Sequence, residues 1–206
     1  MSHSIVPIDF HKIEHHPRVK VGNKDCLQPY DCRVLIVSAM SFGSLSANAV
    51  EALNAGARIG GFAHNTGEGG ISPHHTKYGG DLIWQIGTGY FGARTEDGHF
   101  SPEAFQNNAM RPEVKMIELK LSQGAKPGHG GILPGKKNTP EIAAIRGVKA
   151  GTTVFSPPFH SAFQTPKEMM LFIKTMRDLS GGKPVGFKLC VGWKSEFISI
   201  CKGMVG

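Results

Sequence analysis

The sequence predicts an α/β fold of TIM-barrel-like parallel βα units, incomplete, with about five of the eight strands such a barrel needs. Three observations predict it. Short apolar runs alternate with segments of helical periodicity. The runs are separated by stretches long enough for crossover helices, with no clear β-hairpin signal. Glycine, 27 of 206 residues, is about twice its usual share of roughly 7%. The glycines cluster at a few places instead of repeating as in collagen, which points to tight turns and close approach to a ligand.

The elements follow in order. Residues 1–32 are polar and rich in His, Pro and Asp, and read as an extended N-terminal arm. Residues 33–206 read as the partial barrel domain. Residues 33–40 form a continuous apolar run, the pattern of a strand buried on both faces. A helix fits residues 46–58, with Ser46 as N-cap and Ala49, Val50, Leu53 and Ala57 on one face. A second strand at about 60–64 runs into a glycine-rich turn, residues 65–70. Residues 71–112 read as a long insertion, loop with short elements, and long enough to be functional. Further strands are expected at 114–121, about 152–155, and 184–191. Thr139 and Pro140 open one helix. Thr165 and Glu168 form a capping box for another, which turns Met169, Phe172, Ile173 and Met176 inward and ends at Gly181 and Gly182. A last amphipathic helix spans 195–204.

Composition narrows the function classes. The formal net charge is +7, from 23 basic and 16 acidic residues, but the basic residues are dispersed. Nucleic acid is therefore not expected as a partner, and an anionic small molecule is. No apolar run approaches the ~20 residues of a membrane span, and no secretory signal precedes the fold, so a cytoplasmic location is expected. Cys26, Cys32, Cys190 and Cys201 contain no CxxC pair and read as reduced structural thiols. His11, His15 and His16 could share a helical face, but no carboxylate or cysteine completes a metal site, so they read as surface histidines.

Ligands of parallel α/β sheets sit at the C-terminal ends of the strands. In residues 114–121, alternation puts Ile117, Leu119 and Leu121 on one face and Met116, Glu118 and Lys120 on the other. Glu118 and Lys120 then point inward, either as an ion pair with each other or toward a ligand. Residues 184–191 repeat the device, with Gly186, Lys188 and Cys190 on the inner row. The loop at 122–131 has four glycines and Lys126, a composition suited to an anion, yet it is neither a Walker A loop nor a Rossmann turn. Glu68 sits in the 65–70 turn as a ligand-facing acid, a partner for one of the lysines, or an exposed turn residue.

From about Val21 onward the chain resembles the FMN-binding glutamate synthase family, stand-alone flavin domains similar to the FMN domain of the glutamate synthase large subunit. The resemblance rests on Ser38-Ala39-Met40-Ser41-Phe42-Gly43, Thr66-Gly67-Glu68-Gly69-Gly70, and the run from Glu118 through Gln123, Lys126 and Gly128. It continues through Leu133-Pro134-Gly135, Thr139-Pro140-Glu141-Ile142-Ala143 and Ser156-Pro157-Pro158. It implies an FMN-binding TIM barrel that passes a hydride to the imine of 2-oxoglutarate and ammonia, giving glutamate. Ala39, Met40, Ser41, Lys120 and Lys188 match positions beside the flavin. Gly43, Glu68, Gln123, Lys126 and Arg146 match positions of the 2-oxo-acid site, where an arginine can hold a carboxylate bidentately.

The chain departs from that pattern at His129 and Ile132, where glutamate synthases carry Glu and Gln. A glutaminase domain is missing, and the four cysteines do not reproduce an iron–sulfur cluster motif, so no cluster is expected and no electron donor is named. The flavin phosphate site is expected on strands beyond Gly206. The leading expectation is an FMN-dependent reductive amination of 2-oxoglutarate. The alternatives are an FMN-dependent oxidoreductase with a different amine or imine substrate, and a non-catalytic barrel fragment. An incomplete barrel also leaves an open sheet edge through which the chain could self-associate.

Overall fold

The structure, a computed structural model, describes residues 5, 6, 9–12, 16–126 and 128–205. His15 and Pro127 lie outside the described residues; His16 Nδ1 accepts a hydrogen bond from Arg33 Nη1 at 2.9 Å.

The described chain starts with an antiparallel ribbon, β1 (Arg18–Val21) against β2 (Tyr30–Arg33). Arg18 Nε meets Asp31 across it at 2.6 Å. Tyr30 and Cys32 pack with Ala63 and Ile83 in a small cluster, and the Tyr30 hydroxyl donates to Asp81 at 2.9 Å. After α1 (Ala47–Gly60), β3 (His64–Asn65) and the short α2 (Pro73–Thr76) come β4 (Leu82–Ile86), α3 (Pro102–Ala109) and β5 (Val114–Lys120). Then follow β6 (Ile132–Leu133), α4 (Pro140–Arg146), β7 (Val154–Phe155), α5 (Pro166–Leu179), β8 (Val185–Lys188) and α6 (Lys194–Val205). The fold is α/β: a four-stranded parallel sheet in the order β3-β4-β5-β8, with helices between strands.

The core lies between this sheet and the helices α3 and α5. Trp84, Phe105, Ile117, Leu119 and Met176 are among its fully buried members. Trp84 and Phe105 stack at 5.2 Å. The outward row expected for β5 is there: Ile117 and Leu119 face the core, and Glu118 and Lys120 face the other way, half-buried. The helix caps also follow the sequence. Ser46, Thr139 and Thr165 accept from the third backbone N–H of their helices, and Glu168 closes the capping box on α5.

Four expectations are corrected. The apolar run 33–40 is not one buried strand. Arg33 ends β2, Val34, Leu35 and Ile36 are exposed, and pairing with β3 begins only at Val37. Those three side chains have no layer over them, so apolar character alone cannot bury them. The strand placed at 60–64 is shorter and later: Gly60 is the last residue of α1, Gly61 caps it in the left-handed region (φ 63), and β3 is His64–Asn65. Residues 71–112 are not an insertion, because they hold β4, a strand in the middle of the sheet, and α3. The strand expected at 152–155 is β7, which leaves the parallel sheet and pairs antiparallel with β6 across α4. The parallel sheet thus has four strands among the described residues. Residues 184–191 reduce to β8, which forms one edge of it.

Candidate functional site

The loops at the C-terminal ends of the strands enclose a cavity of about 190 Å³. The 41–44 turn, Glu68 after β3, Phe91 after β4, Gln123 and Lys126 after β5, the β6–β7 pair and Arg146 at the end of α4 line it. Ser41, Glu68, Gln123, Lys126 and Arg146, far apart in sequence, are therefore brought together.

The glycines around the cavity make room for its charged side chains. A Cβ at Gly69 would lie 2.9 Å from Arg146 Nη2, and one at Gly87 would lie 2.7 Å from Glu68 Oε2. A Cβ on Gly43 would sit 3.4 Å from Arg146 Nη2, so Gly43 belongs to the wall behind that guanidinium.

Glu68 accepts from the Gln123 amide at 2.5 Å and pairs with Lys120 Nζ at 3.2 Å. Lys120 also donates to Gln123 Oε1 at 3.1 Å, closing a triangle. Of the readings open for Glu68, the structure shows the lysine partner. The Glu118–Lys120 ion pair is corrected: Glu118 instead accepts from the Asn65 amide at 3.0 Å and the Gln85 amide at 2.5 Å. Both amides hold Oε1 of that carboxylate, and Lys120 reaches Glu68 across the strand ends instead.

Arg146 is the most distinctive group. It is 7% exposed. Its Nη2 donates to the Phe42 carbonyl at 3.3 Å, its Cζ stands 5.0 Å from the centre of the Phe91 ring, and its Nε is buried with no hydrogen-bond partner. Burial pushes its pKa down, and the nearby Glu68 charge pushes back. A buried guanidinium with an unused donor is costly unless an anion completes it.

The remaining expected residues surround this cavity without lining it. The Met40 carbonyl accepts from His75 Nε2 at 2.9 Å, and His75 Nδ1 accepts from the Ser72 N–H at 3.1 Å. Burial holds the His75 pKa down, so the ring that fixes the 39–41 segment is neutral. Ala39 is half-buried in that segment. Lys188 stands in register with Lys120 on the sheet but is exposed.

Sequence reasoning missed Phe91, Ser44, Ser156 and the anchor beneath Lys120. There, His160 Nε2 donates to the Lys120 carbonyl at 2.8 Å while its Nδ1 accepts from the Tyr90 hydroxyl at 3.0 Å. Tyr90 and Phe91 lie in the loop after β4, beyond Gly87, Thr88 and Gly89, so reading β4 from the sequence would have put both near a strand end.

All four cysteines are free. Among the described residues no group of three or more His, Cys, Asp or Glu could hold a metal, and no helix is long and apolar enough to cross a membrane.

Comparison with known proteins shows the family. A family model described as a conserved region in glutamate synthase matches residues 8–205. The chain is 45% identical over 178 residues to a glutamate synthase large subunit-like protein, YerD, of Bacillus subtilis, covering 85% of this chain and 34% of that protein. It is 35% identical over 172 residues to an archaeal glutamate synthase [NADPH] of Archaeoglobus fulgidus, covering 83% and 31%. To the glutamate synthase [NADPH] large chain of Bacillus subtilis it is 36% identical over 158 residues, covering 73% and 10%. The chain spans about a third or less of the length of these curated relatives. With nearly its whole length inside the conserved region, the chain belongs to the glutamate synthase family.

Proposed function

We propose that this chain contributes the oxo-acid side and the ring side of an FMN-dependent glutamate synthase site, in a protein that reductively aminates 2-oxoglutarate to glutamate. The observation that carries the reading is Arg146, buried with an unpartnered Nε in the wall of a small polar cavity that Lys126 also lines. A cavity of about 190 Å³ is below the ~300 Å³ at which drug-sized ligand sites begin, which suits a small acid and not a nucleotide. Two cations suit a dicarboxylate, one carboxylate on the Arg146 guanidinium and the other on Lys126 at the rim.

The residues also fit the ring of a flavin. Lys120 and Lys188 stand side by side at the strand ends, where positive charge would stabilise an anionic reduced ring. Ala39, Met40 and Ser41 would lie along that ring, with the 39–41 backbone fixed by His75. The bound flavin would supply the hydride that reduces the imine carbon. This chain's residues would hold the acid, orient it and neutralise its charge. The four-stranded sheet is read as part of a TIM barrel.

The free edge of β8 and the exposed Trp193, Phe197 and Ile198 beside it favour a second reading, in which the chain works only when further polypeptide completes the sheet. Calorimetric titration with 2-oxoglutarate, alongside the visible spectrum after mixing with FMN, tests both. The proposed function expects 2-oxoglutarate binding that Arg146→Ala and Lys126→Ala weaken while any retained flavin absorbance is unchanged. Unaltered oxo-acid affinity in both variants would refute it. Flavin retention only after the longer relative's segment is supplied would favour the second reading.

A further inference from the structure

Arg146 is held by an unusual support. Its guanidinium has one carbonyl acceptor, and its other contact is the face of Phe91. A second guanidinium, that of Arg94, stands 5.5 Å from the centre of the same ring. Phe91 is 3% exposed and lines the cavity.

The loop after β4 is shaped around this ring. A Cβ on Gly89 would lie 2.8 Å from Phe91 Cζ, so glycine there leaves the ring its space. Tyr90 has φ 49, a left-handed conformation that a bulky residue rarely adopts. The backbone reversal sends Tyr90 into the core against Phe100 and Phe172, and Phe91 into the cavity wall. Tyr90 is locked there, since its hydroxyl donates to His160 and accepts from the Ala162 N–H at 3.2 Å.

We infer that Phe91 is a positioning residue of the oxo-acid site, its ring face holding the Arg146 guanidinium so that the N–H donors on its cavity side stay available to a carboxylate. The inference rests on the oxo-acid reading of the cavity. A carboxylate acceptor at this place would neutralise Arg146 and compete with the ligand. A ring face attracts the cation while occupying none of its N–H donors in the ring plane. A guanidinium fixed in advance loses less freedom when the acid arrives.

The test replaces Phe91 with 3,4,5-trifluorophenylalanine, which keeps nearly the same shape and weakens the negative ring face, and separately makes Phe91→Leu. Affinity for 2-oxoglutarate is measured by calorimetry, and the Arg146 Hε resonance is followed by NMR. The trifluoro ring is expected to weaken binding about threefold and Phe91→Leu about tenfold. In Phe91→Leu the ring-shifted Arg146 Hε signal should also move to an ordinary position. The trifluoro chain should keep its melting temperature, which separates positioning from packing. Undiminished affinity with the trifluoro ring overturns the role of Phe91 while leaving the oxo-acid site intact. Absence of 2-oxoglutarate binding by the unaltered chain overturns the oxo-acid reading itself.

Discussion

Two buried cations stand at opposite ends of the sheet, and they are built differently. Lys183 lies just before β8, at the N-terminal ends of the strands, and is 6% exposed. Its Nζ donates to the Ala109 carbonyl, an acceptor left over at the end of α3, at 2.6 Å, and to the Arg111 carbonyl just past it at 2.9 Å. Arg146, at the C-terminal ends of the strands, is equally buried at 7%. It has one carbonyl, one aromatic face and one donor with no partner. Burial alone does not separate a structural cation from a ligand-binding one. The count of satisfied donors differs between them, and on the proposed oxo-acid reading it is what separates these two.

The largest expected effect breaks this comparison if it fails. Lys183→Met removes two charge-assisted hydrogen bonds and leaves the Ala109 carbonyl short of a partner, while the Arg111 carbonyl keeps the Val114 N–H, a loss of about 3 kcal/mol. Arg146→Met removes an under-paired buried charge, and the expected change is under about 1 kcal/mol, of either sign. Urea unfolding of the two variants reads this directly. Equal and large losses would show that Arg146 is a structural cation as well.

A comparable effect is expected from pH. His64 is fully buried with neither ring nitrogen hydrogen-bonded, and burial, helped by His75, pushes its pKa down to about 4. The unfolded chain then binds a proton below about pH 6.5 that the folded chain refuses until about pH 4. Stability is therefore full above about 6.5 and falls as pH drops through that window, by about 3 kcal/mol for this residue. His75 and His160, also held neutral by burial, add to the slope. Thermal melts from pH 7.5 to 4 should steepen accordingly, and His64→Phe should flatten part of the fall. An identical slope in His64→Phe would remove His64 from the account.

Legibility in the sequence followed how local the signal was. The helix α5 could be read because Thr165, Glu168 and the row Met169, Phe172, Ile173 and Met176 all lie within one segment. The strand β5 could be read because one face is apolar and the other charged. The strand β4 could not: all five residues from Leu82 to Ile86 are buried, so no alternation marks it. Gln85, polar in its midst, is satisfied by Glu118, 33 residues away. The antiparallel β6–β7 pair is likewise a distant contact, with α4 between its strands. At the site, Ser41, Glu68, Gln123, Lys126 and Arg146 were reachable through the family resemblance, and the structure joins them in one cavity. Phe91 carried no signal of its own, because its contact is with an arginine 55 positions later.

The most direct measurement is the unfolding free energy of the unaltered chain, Lys183→Met and Arg146→Met, each with and without 2-oxoglutarate. Above its dissociation constant the acid should stabilise the unaltered chain by about 1.4 kcal/mol for each tenfold rise in concentration. Lys183→Met should gain the same increment from a lower baseline, and Arg146→Met should gain none. An increment of equal size in Arg146→Met would contradict the proposal that this guanidinium holds the acid.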